Sequence, residues 1–198
     1  MYDKDYFEER YKAGDKPWDN DKPDSNLINL LAKQRLNAKK VLDVGCGTGH
    51  NCIWLAKNGF EATGADISPT AIKMAEENAK KQNVNVNFVE NDFLKNRVPG
   101  YPFDFIYDSG CFHSFDIGEP MAAFAENVAL NLSEKGKWFS IVGNIDEKRD
   151  GHRPPPRSVK DIVLAAELFF EIQFIASGYF ESKRKIPPKA WVCLMQKR

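Results

Sequence analysis

The sequence predicts an α/β domain, doubly wound around a mostly parallel sheet of seven strands. Three observations lead there. Apolar strand-like runs alternate with helical patterns along the chain. A glycine-rich turn joins the first strand to the helix that follows it. The 198 residues are enough for one such domain and its core, and too few for two.

The elements follow in order. Residues 1–24 are polar but carry Tyr2, Tyr6, Phe7, Tyr11 and Trp18, with eight acids against five bases. That aromatic content predicts a segment that docks on the rest of the chain. A helix is expected over 25–36, with Leu27, Leu30 and Leu31 on one face. Lys40–Val44 reads as a buried strand, 50–58 as a helix ended by Gly59, and Phe60–Ala65 as a second strand. Ser68-Pro69 supplies an N-cap and a first-turn proline for a helix running to about Lys81. Val86–Glu90 and Phe103–Tyr107 are the third and fourth strands. A helix with Met121, Phe124, Ala125, Val128 and Leu132 on one side comes next and closes near Gly136. Trp138–Val142 is the fifth strand, 144–157 a polar loop, 158–166 a helix, 169–176 a strand and Trp191–Met195 the last strand. Right-handed crossovers put a ligand crevice at the carboxyl ends of the strands.

Composition narrows the classes. Lys plus Arg and Asp plus Glu both number 28, so charge gives no footprint for nucleic acid or an anionic membrane. No apolar run approaches a bilayer span, and the polar start lacks a signal-peptide core, so a cytoplasmic protein is expected. Cys46, Cys52, Cys111 and Cys193 form no CxxC pair; they predict reduced thiols, with no disulfide framework and no metal site.

The strongest motif is Val41-Leu-Asp-Val-Gly-Cys-Gly-Thr-Gly49. Gly45, Gly47 and Gly49 let the backbone turn sharply and let a ligand lie against it. A dinucleotide site needs GxGxxG with pyrophosphate on the helix N-terminus. Here His50 stands where that pattern wants its third glycine, which argues against an NAD(P)-dependent oxidoreductase. Asp43 precedes the turn and is placed to meet an ammonium, directly or through water. Asp66 ends the second strand 17 residues after Gly49, where a carboxylate can accept two ribose hydroxyls. Asn91-Asp92-Phe93 follows the third strand and offers polar groups and an aromatic face to an adenine.

This ordered set over residues 40–95 resembles the class I S-adenosylmethionine-dependent methyltransferases. The resemblance implies a Rossmann-like fold with the last strand antiparallel, S-adenosyl-L-methionine as cofactor, and a cofactor half at 40–95 within a single domain. It implies cofactor contacts from Asp43, Gly45, Cys46, Gly47, Gly49, Asp66, Ile67, Asn91, Asp92, Phe93 and Asp108. The flanks are similar to the thiopurine, thiol and halide methyltransferase-like group and its tellurite-methylating relatives. Tyr11-Lys-Ala-Gly-Asp-Lys-Pro-Trp-Asp19 looks like that group's opening segment, which lies over the cofactor; Trp18 carries its aromatic, and 1–24 becomes an expected lid. Phe103-Asp-Phe-Ile-Tyr-Asp-Ser-Gly-Cys-Phe-His113 resembles the end of its fourth strand. Arg153-Pro-Pro-Pro156 departs from its Gly-Pro-Pro loop element.

The function so implied is in-line methyl transfer to a small acceptor, a thiol or another soft nucleophile, with alignment and water exclusion as the protein's share. His113 is a candidate catalytic residue, with Asp108 beside it; the competing reading is a histidine bonded to its own turn. Cys111, Phe112, Phe115 and Tyr179 are expected to wall the acceptor pocket. His152, Arg153 and Arg157 are expected at a positive rim, or as parts of a solvated loop. No nucleic-acid or membrane partner is expected, and the oligomeric state is open. Tellurite, selenium or halide methylation, a protein or RNA substrate, and a non-catalytic cofactor-binding module remain as alternatives.

Overall fold

The computed structural model describes residues 4–33, 38–148 and 155–198. Seven strands are present among them: β1 (Lys40–Val44), β2 (Glu61–Asp66), β3 (Asn87–Glu90), β4 (Phe103–Ser109), β5 (Leu132–Gly143), β6 (Phe170–Tyr179) and β7 (Lys189–Lys197). They form one sheet in the order β3-β2-β1-β4-β5-β7-β6. β1 pairs in parallel with β2 and β4, β2 with β3, and β4 with β5. β7 is antiparallel to both β5 and β6 and lies between them. The doubly wound sheet and its antiparallel last strand are therefore as expected. The strand order reverses between β1 and β4, which opens a crevice beyond their carboxyl ends.

Among the described residues six α-helices accompany the sheet: α1 (Lys4–Ala13), α2 (Ser25–Lys33), α3 (His50–Lys57), α4 (Pro69–Lys81), α5 (Glu119–Asn131) and α6 (Val159–Ala166). The pleat sends successive side chains to opposite faces. Val41, Phe105 and Tyr107 meet α2, α3 and α4 on one face, through Leu27, Cys52 and Ile72. Leu42, Ile106 and Trp138 meet α5 and α6 on the other, through Phe124, Val128 and Ile162. Trp138 is the largest fully buried side chain there, with ring centroids 4.9 Å from Phe112 and 5.3 Å from Phe170. Each such aromatic contributes about 1.5–3 kcal/mol by burial. Among the described residues no helix is long and apolar enough to cross a membrane.

Two element boundaries differ from the sequence pattern. Leu132, expected on the helical face, begins β5: it pairs with Phe103, and its ψ of 146° is extended. The ladder resumes at Phe105 and Lys137, and the intervening residues include Lys135 at φ 59°. β6 continues to Tyr179, three residues beyond the strand expected over 169–176. The expected helical residues 34–36 lie outside the described residues.

The N-terminal segment holds a helix, α1, that the sequence pattern does not predict. Phe7 and Tyr11, one turn apart, face inward from α1, and Tyr11 is buried. Glu8 on the same helix reaches the N-terminus of α4. It accepts from the Ser68 hydroxyl at 2.6 Å, the Thr70 hydroxyl at 2.7 Å and the Thr70 N–H at 3.1 Å. Ser68 itself caps the helix by accepting from the Ala71 N–H. Burial opposes the Glu8 charge, but these hydrogen bonds hold its carboxyl down to about 2. The negative charge also suits a helix N-terminus. Replacing Glu8 by Ala is expected to lower unfolding stability in urea by about 1 kcal/mol. It should also speed proteolysis of the 4–33 segment. An unchanged midpoint would mean that this contact does not anchor α1.

Candidate active site

A cleft of about 300 Å³ opens at the strand ends, where β1, β2 and β4 deliver their last residues. Its floor is the glycine turn. Gly47 has φ 54°, and a Cβ there would stand 2.8 Å from the Tyr11 hydroxyl oxygen. Gly49 has φ 80°, and a Cβ would strike Phe88 at 2.7 Å and Ala75 at 2.9 Å. The absence of a Cβ at Gly47 leaves room for the Tyr11 hydroxyl, and at Gly49 it admits close packing of α3 against its neighbours.

Asp43 and Asp66 stand on either side of this turn, both buried and both lining the cleft. Burial pushes the Asp43 carboxyl up to about 7, against a hydrogen bond from the Cys52 thiol at 3.5 Å. Asp66 accepts the Gly47 N–H through Oδ2 and the Ser68 N–H through Oδ1, each at 2.9 Å. Burial raises its pKa all the same. A carboxylate has about four acceptor positions, so Asp66 keeps capacity for ligand hydroxyls.

The third wall is Ile67, Asn91, Asp92 and Phe93. Phe93 is buried against Phe124, and Asp92 pairs with Lys95 at 2.7 Å. Asn91 is spent only on one side: its Nδ2 donates to the Arg97 carbonyl at 3.4 Å, and its buried Oδ1 has no partner among the described residues. An orphaned acceptor beside a ring, two buried carboxylates and a Cβ-free floor suit a ligand with an exocyclic amine, a diol and an ammonium.

The roof comes from the N-terminal segment. Trp18 donates through Nε1 to the Tyr11 hydroxyl at 3.0 Å and packs edge-on against Tyr11 and Phe7. The Arg10 guanidinium lies 4.9 Å from the Trp18 ring centre. Asn20 ties this roof to the far side by donating to the Glu181 carbonyl, and Lys22 pairs with the Glu181 carboxylate at 2.8 Å. Asp24 closes the segment, accepting from the Tyr107 hydroxyl at 2.8 Å and Ser109 at 3.2 Å. Asp19 and Asp21 approach His50, but Lys16 and Lys183 pair with the two carboxylates.

Beyond the floor lies the stretch after β4. Cys111 is half-buried, and a Cβ on Gly45 would meet its Sγ at 3.2 Å. Burial, then Asp108, pushes the Cys111 thiol well up. Cys46 is opposed by its hydrogen bond with Cys52, yet burial and two carboxylates push it up to about 11. Neither thiol is a ready nucleophile. His113 lines the cleft, and its Nδ1 accepts the Gly143 N–H at 2.8 Å. Burial, then the charge of Arg157, pushes the imidazole down to about 3, so it stays neutral.

Several expected site residues sit elsewhere. Asp108 is fully buried behind the cleft: Oδ1 accepts the Phe112 N–H at 3.0 Å and Oδ2 the Trp138 Nε1–H at 2.8 Å. It cannot touch a ligand. Phe112 packs into the core against Trp138 and Phe124. Arg157 gives no rim, because its Nη2 donates to the carbonyls of His113 at 2.7 Å and Phe115 at 2.6 Å. Tyr179 is half-exposed at the end of β6, and the next residue, Phe180, lines the cleft instead. His152 and Arg153 lie outside the described residues. Sequence reasoning missed Glu8, Tyr11, Asp24 and Phe180 as site builders. The spacing of Phe7 and Tyr11 was a helical signal; nothing local marked Phe180.

Residues 41–136 match the family model described as a methyltransferase domain. An 88-residue segment, 44% of this chain, is 41% identical to an uncharacterised methyltransferase of Schizosaccharomyces pombe and covers 59% of it. A 159-residue segment, 77% of this chain, is 31% identical to the probable thiol methyltransferase 2 of Arabidopsis thaliana and covers 66% of it. The chain thus spans less than two thirds of the length of these relatives. A structure solved in work on the conversion of a disulfide bond into a thioacetal group during echinomycin biosynthesis shares the fold. Its TM-score is 0.87 at 23% identity, over 98% of this chain and 93% of that one.

Proposed function

We propose that this chain, whose residues 41–136 match a methyltransferase domain, is an S-adenosylmethionine-dependent methyltransferase that methylates a small, soft nucleophile, with a thiol as the leading acceptor. The observation that carries the reading is the chamber beyond the cofactor floor. Cys111, His113, Phe115 and Phe180 line that end of the cleft, and Tyr11 and Trp18 line it on the side of the glycine turn. A cleft of about 300 Å³ with this aromatic lining suits a small molecule better than a folded protein surface or a duplex. The likeness to a thiol methyltransferase points the same way.

S-adenosyl-L-methionine supplies a methyl group already activated by a positive sulfur. The chain's residues bind and align. Asp43 would meet the ammonium, Asp66 the ribose hydroxyls, and Asn91 with Phe93 the adenine. The segment 1–24 acts as the lid: Glu8, Tyr11 and Asn20 seat it, and Trp18 closes it over the glycine turn. Covering the chamber excludes water and fixes the approach of the acceptor.

The test is an acceptor panel with methyl-labelled cofactor: small thiols, a thiopurine, iodide, selenite and tellurite, beside bulk protein and RNA. Labelled product from at least one thiol is the expected result. Label appearing only in protein or RNA would overturn the small-acceptor reading.

A further inference from the structure

We propose that His113 is a hydrogen-bond donor to an acceptor that enters already as an anion, so that the protein supplies no base for methyl transfer. The inference rests on the methyl-transfer reading above and narrows its substrate class.

The argument begins with the tautomer. The Gly143 N–H donates to His113 Nδ1 at 2.8 Å, so Nδ1 must carry a lone pair. In a neutral ring the proton is then on Nε2. That atom makes no hydrogen bond among the described residues, although the side chain is more than nine-tenths buried and lines the cleft. The neighbour over it is Gly110, where even a Cβ would come within 3.5 Å of Nε2. Phe180 stands edge-on to the ring at 5.6 Å and fixes its plane. The sequence therefore places an unpartnered N–H donor, on an otherwise buried ring, in the lining of the cleft.

The charges around the ring favour the same occupant. From the segment after β5, the Arg157 guanidinium bonds the carbonyls of His113 and Phe115, placing a buried positive charge behind the imidazole. On its own turn, the Cys111 thiol is held protonated by burial, and the Asp108 carboxylate is turned away onto Phe112 and Trp138. β5 presents only the backbone N–H of Gly143, and the segment after β6 presents Phe180. A neutral donor backed by a cation, with no carboxylate aimed at it, stabilises an anion and cannot remove a proton.

The balance of the step follows. A thiol gives its proton to solvent before it binds. The thiolate lone pair forms the new bond to the methyl carbon as the carbon–sulfur bond breaks, and that pair stays on the departing sulfur. Cation and anion become two neutral thioethers, and no proton moves during transfer. Selenolates and halide ions satisfy the same requirement.

Two variants separate donation from mere architecture. In His113→Asn, the side-chain oxygen can still accept from Gly143, but the shorter amide N–H falls short of the position of Nε2. In His113→Gln, an amide N–H can reach the position of Nε2. With adenosylhomocysteine affinity unchanged in both, His113→Asn should lose about 10- to 100-fold in kcat/KM for a thiol, and His113→Gln should recover most of it. For a series of thiols of different acidity, the rising limb of kcat/KM against pH should move with each thiol's own pKa. A limb fixed at one pH for all thiols would mean an enzyme base and would overturn the proposal.

A second measurement needs no turnover. Ring-nitrogen NMR of the full chain bound to adenosylhomocysteine, assigned with His113→Asn, should show His113 neutral and protonated on Nε2 from about pH 5 to about pH 9. Its signal should shift when iodide is added as the soft-anion probe. A mid-range titration, the other tautomer, or no response to iodide would refute the inference. If the spectra behave as expected but no panel acceptor is methylated, the small-acceptor reading has failed and the anion site has not.

Discussion

Lowering the pH from about 8 to about 5 is expected to weaken adenosylhomocysteine binding about 100-fold, close to 2.7 kcal/mol. The cause is Asp43. In the free protein, burial pushes its carboxyl up to about 7, so it holds a proton over much of that range. An ammonium beside it requires the ionised form. Each pH unit below about 7 therefore costs the ligand nearly tenfold in affinity. Asp66, also raised by burial, adds in the same direction. Glu8 and His113 do not contribute, because hydrogen bonds hold the first near 2 and burial holds the second near 3.

The same shift acts oppositely on the free protein. A carboxyl whose folded pKa is raised gives stability that is present below its unfolded value and lost as pH rises through about 7. The ligand-induced rise in melting temperature should therefore grow from pH 5 to pH 8, while the Asp43 contribution to the unliganded protein declines. Isothermal titration calorimetry across this range is the direct check. Buffers of different ionisation enthalpy should report release of close to one proton near pH 6. Asp43→Asn should bind weakly at every pH and lose most of the slope. An affinity that stays flat down to pH 5 would remove Asp43 from the ammonium site.

Legibility in the sequence followed the range of the interactions. The sheet and its cofactor turn rest on local rules: alternating apolar runs, Ser68-Pro69 at a helix start, and glycines where φ is positive. The roof was visible only as composition, because the partners of its residues are distant. Glu8 is anchored on Ser68 and Thr70, Asn20 on Glu181, and Asp24 on Tyr107. The acceptor end was the hardest to read, for a related reason. Whether a polar side chain after β4 faces the cleft or the core depends on what the core offers it. Trp138 brings an indole N–H into the core and draws Asp108 inward; Phe115 and His113 bring carbonyls and draw Arg157. Residue type alone does not distinguish a catalytic aspartate from one that satisfies a buried donor.

That distinction has a measurable consequence. Asp108→Ala is expected to lower folding stability by about 3 kcal/mol, because it orphans two buried donors, the Phe112 N–H and the Trp138 Nε1–H. Asp108→Asn should recover only part of this, since its amide can accept from one donor but turns its own N–H toward the other. The gap between wild type and Asp108→Ala should depend on pH with a definite sign. Burial pushes the Asp108 carboxyl up to about 6, so its stabilising effect is fullest below the ordinary carboxylate range and shrinks as pH rises through about 6. The alanine variant lacks that component, and the two urea-unfolding curves should draw closer from pH 5 to pH 8. At a temperature where the variant remains folded, its affinity for adenosylhomocysteine should stay near that of wild type, because no atom of Asp108 lines the cleft. Normal stability with a collapsed kcat would show the opposite: an aspartate that reaches the reacting atoms, and a core that does without it.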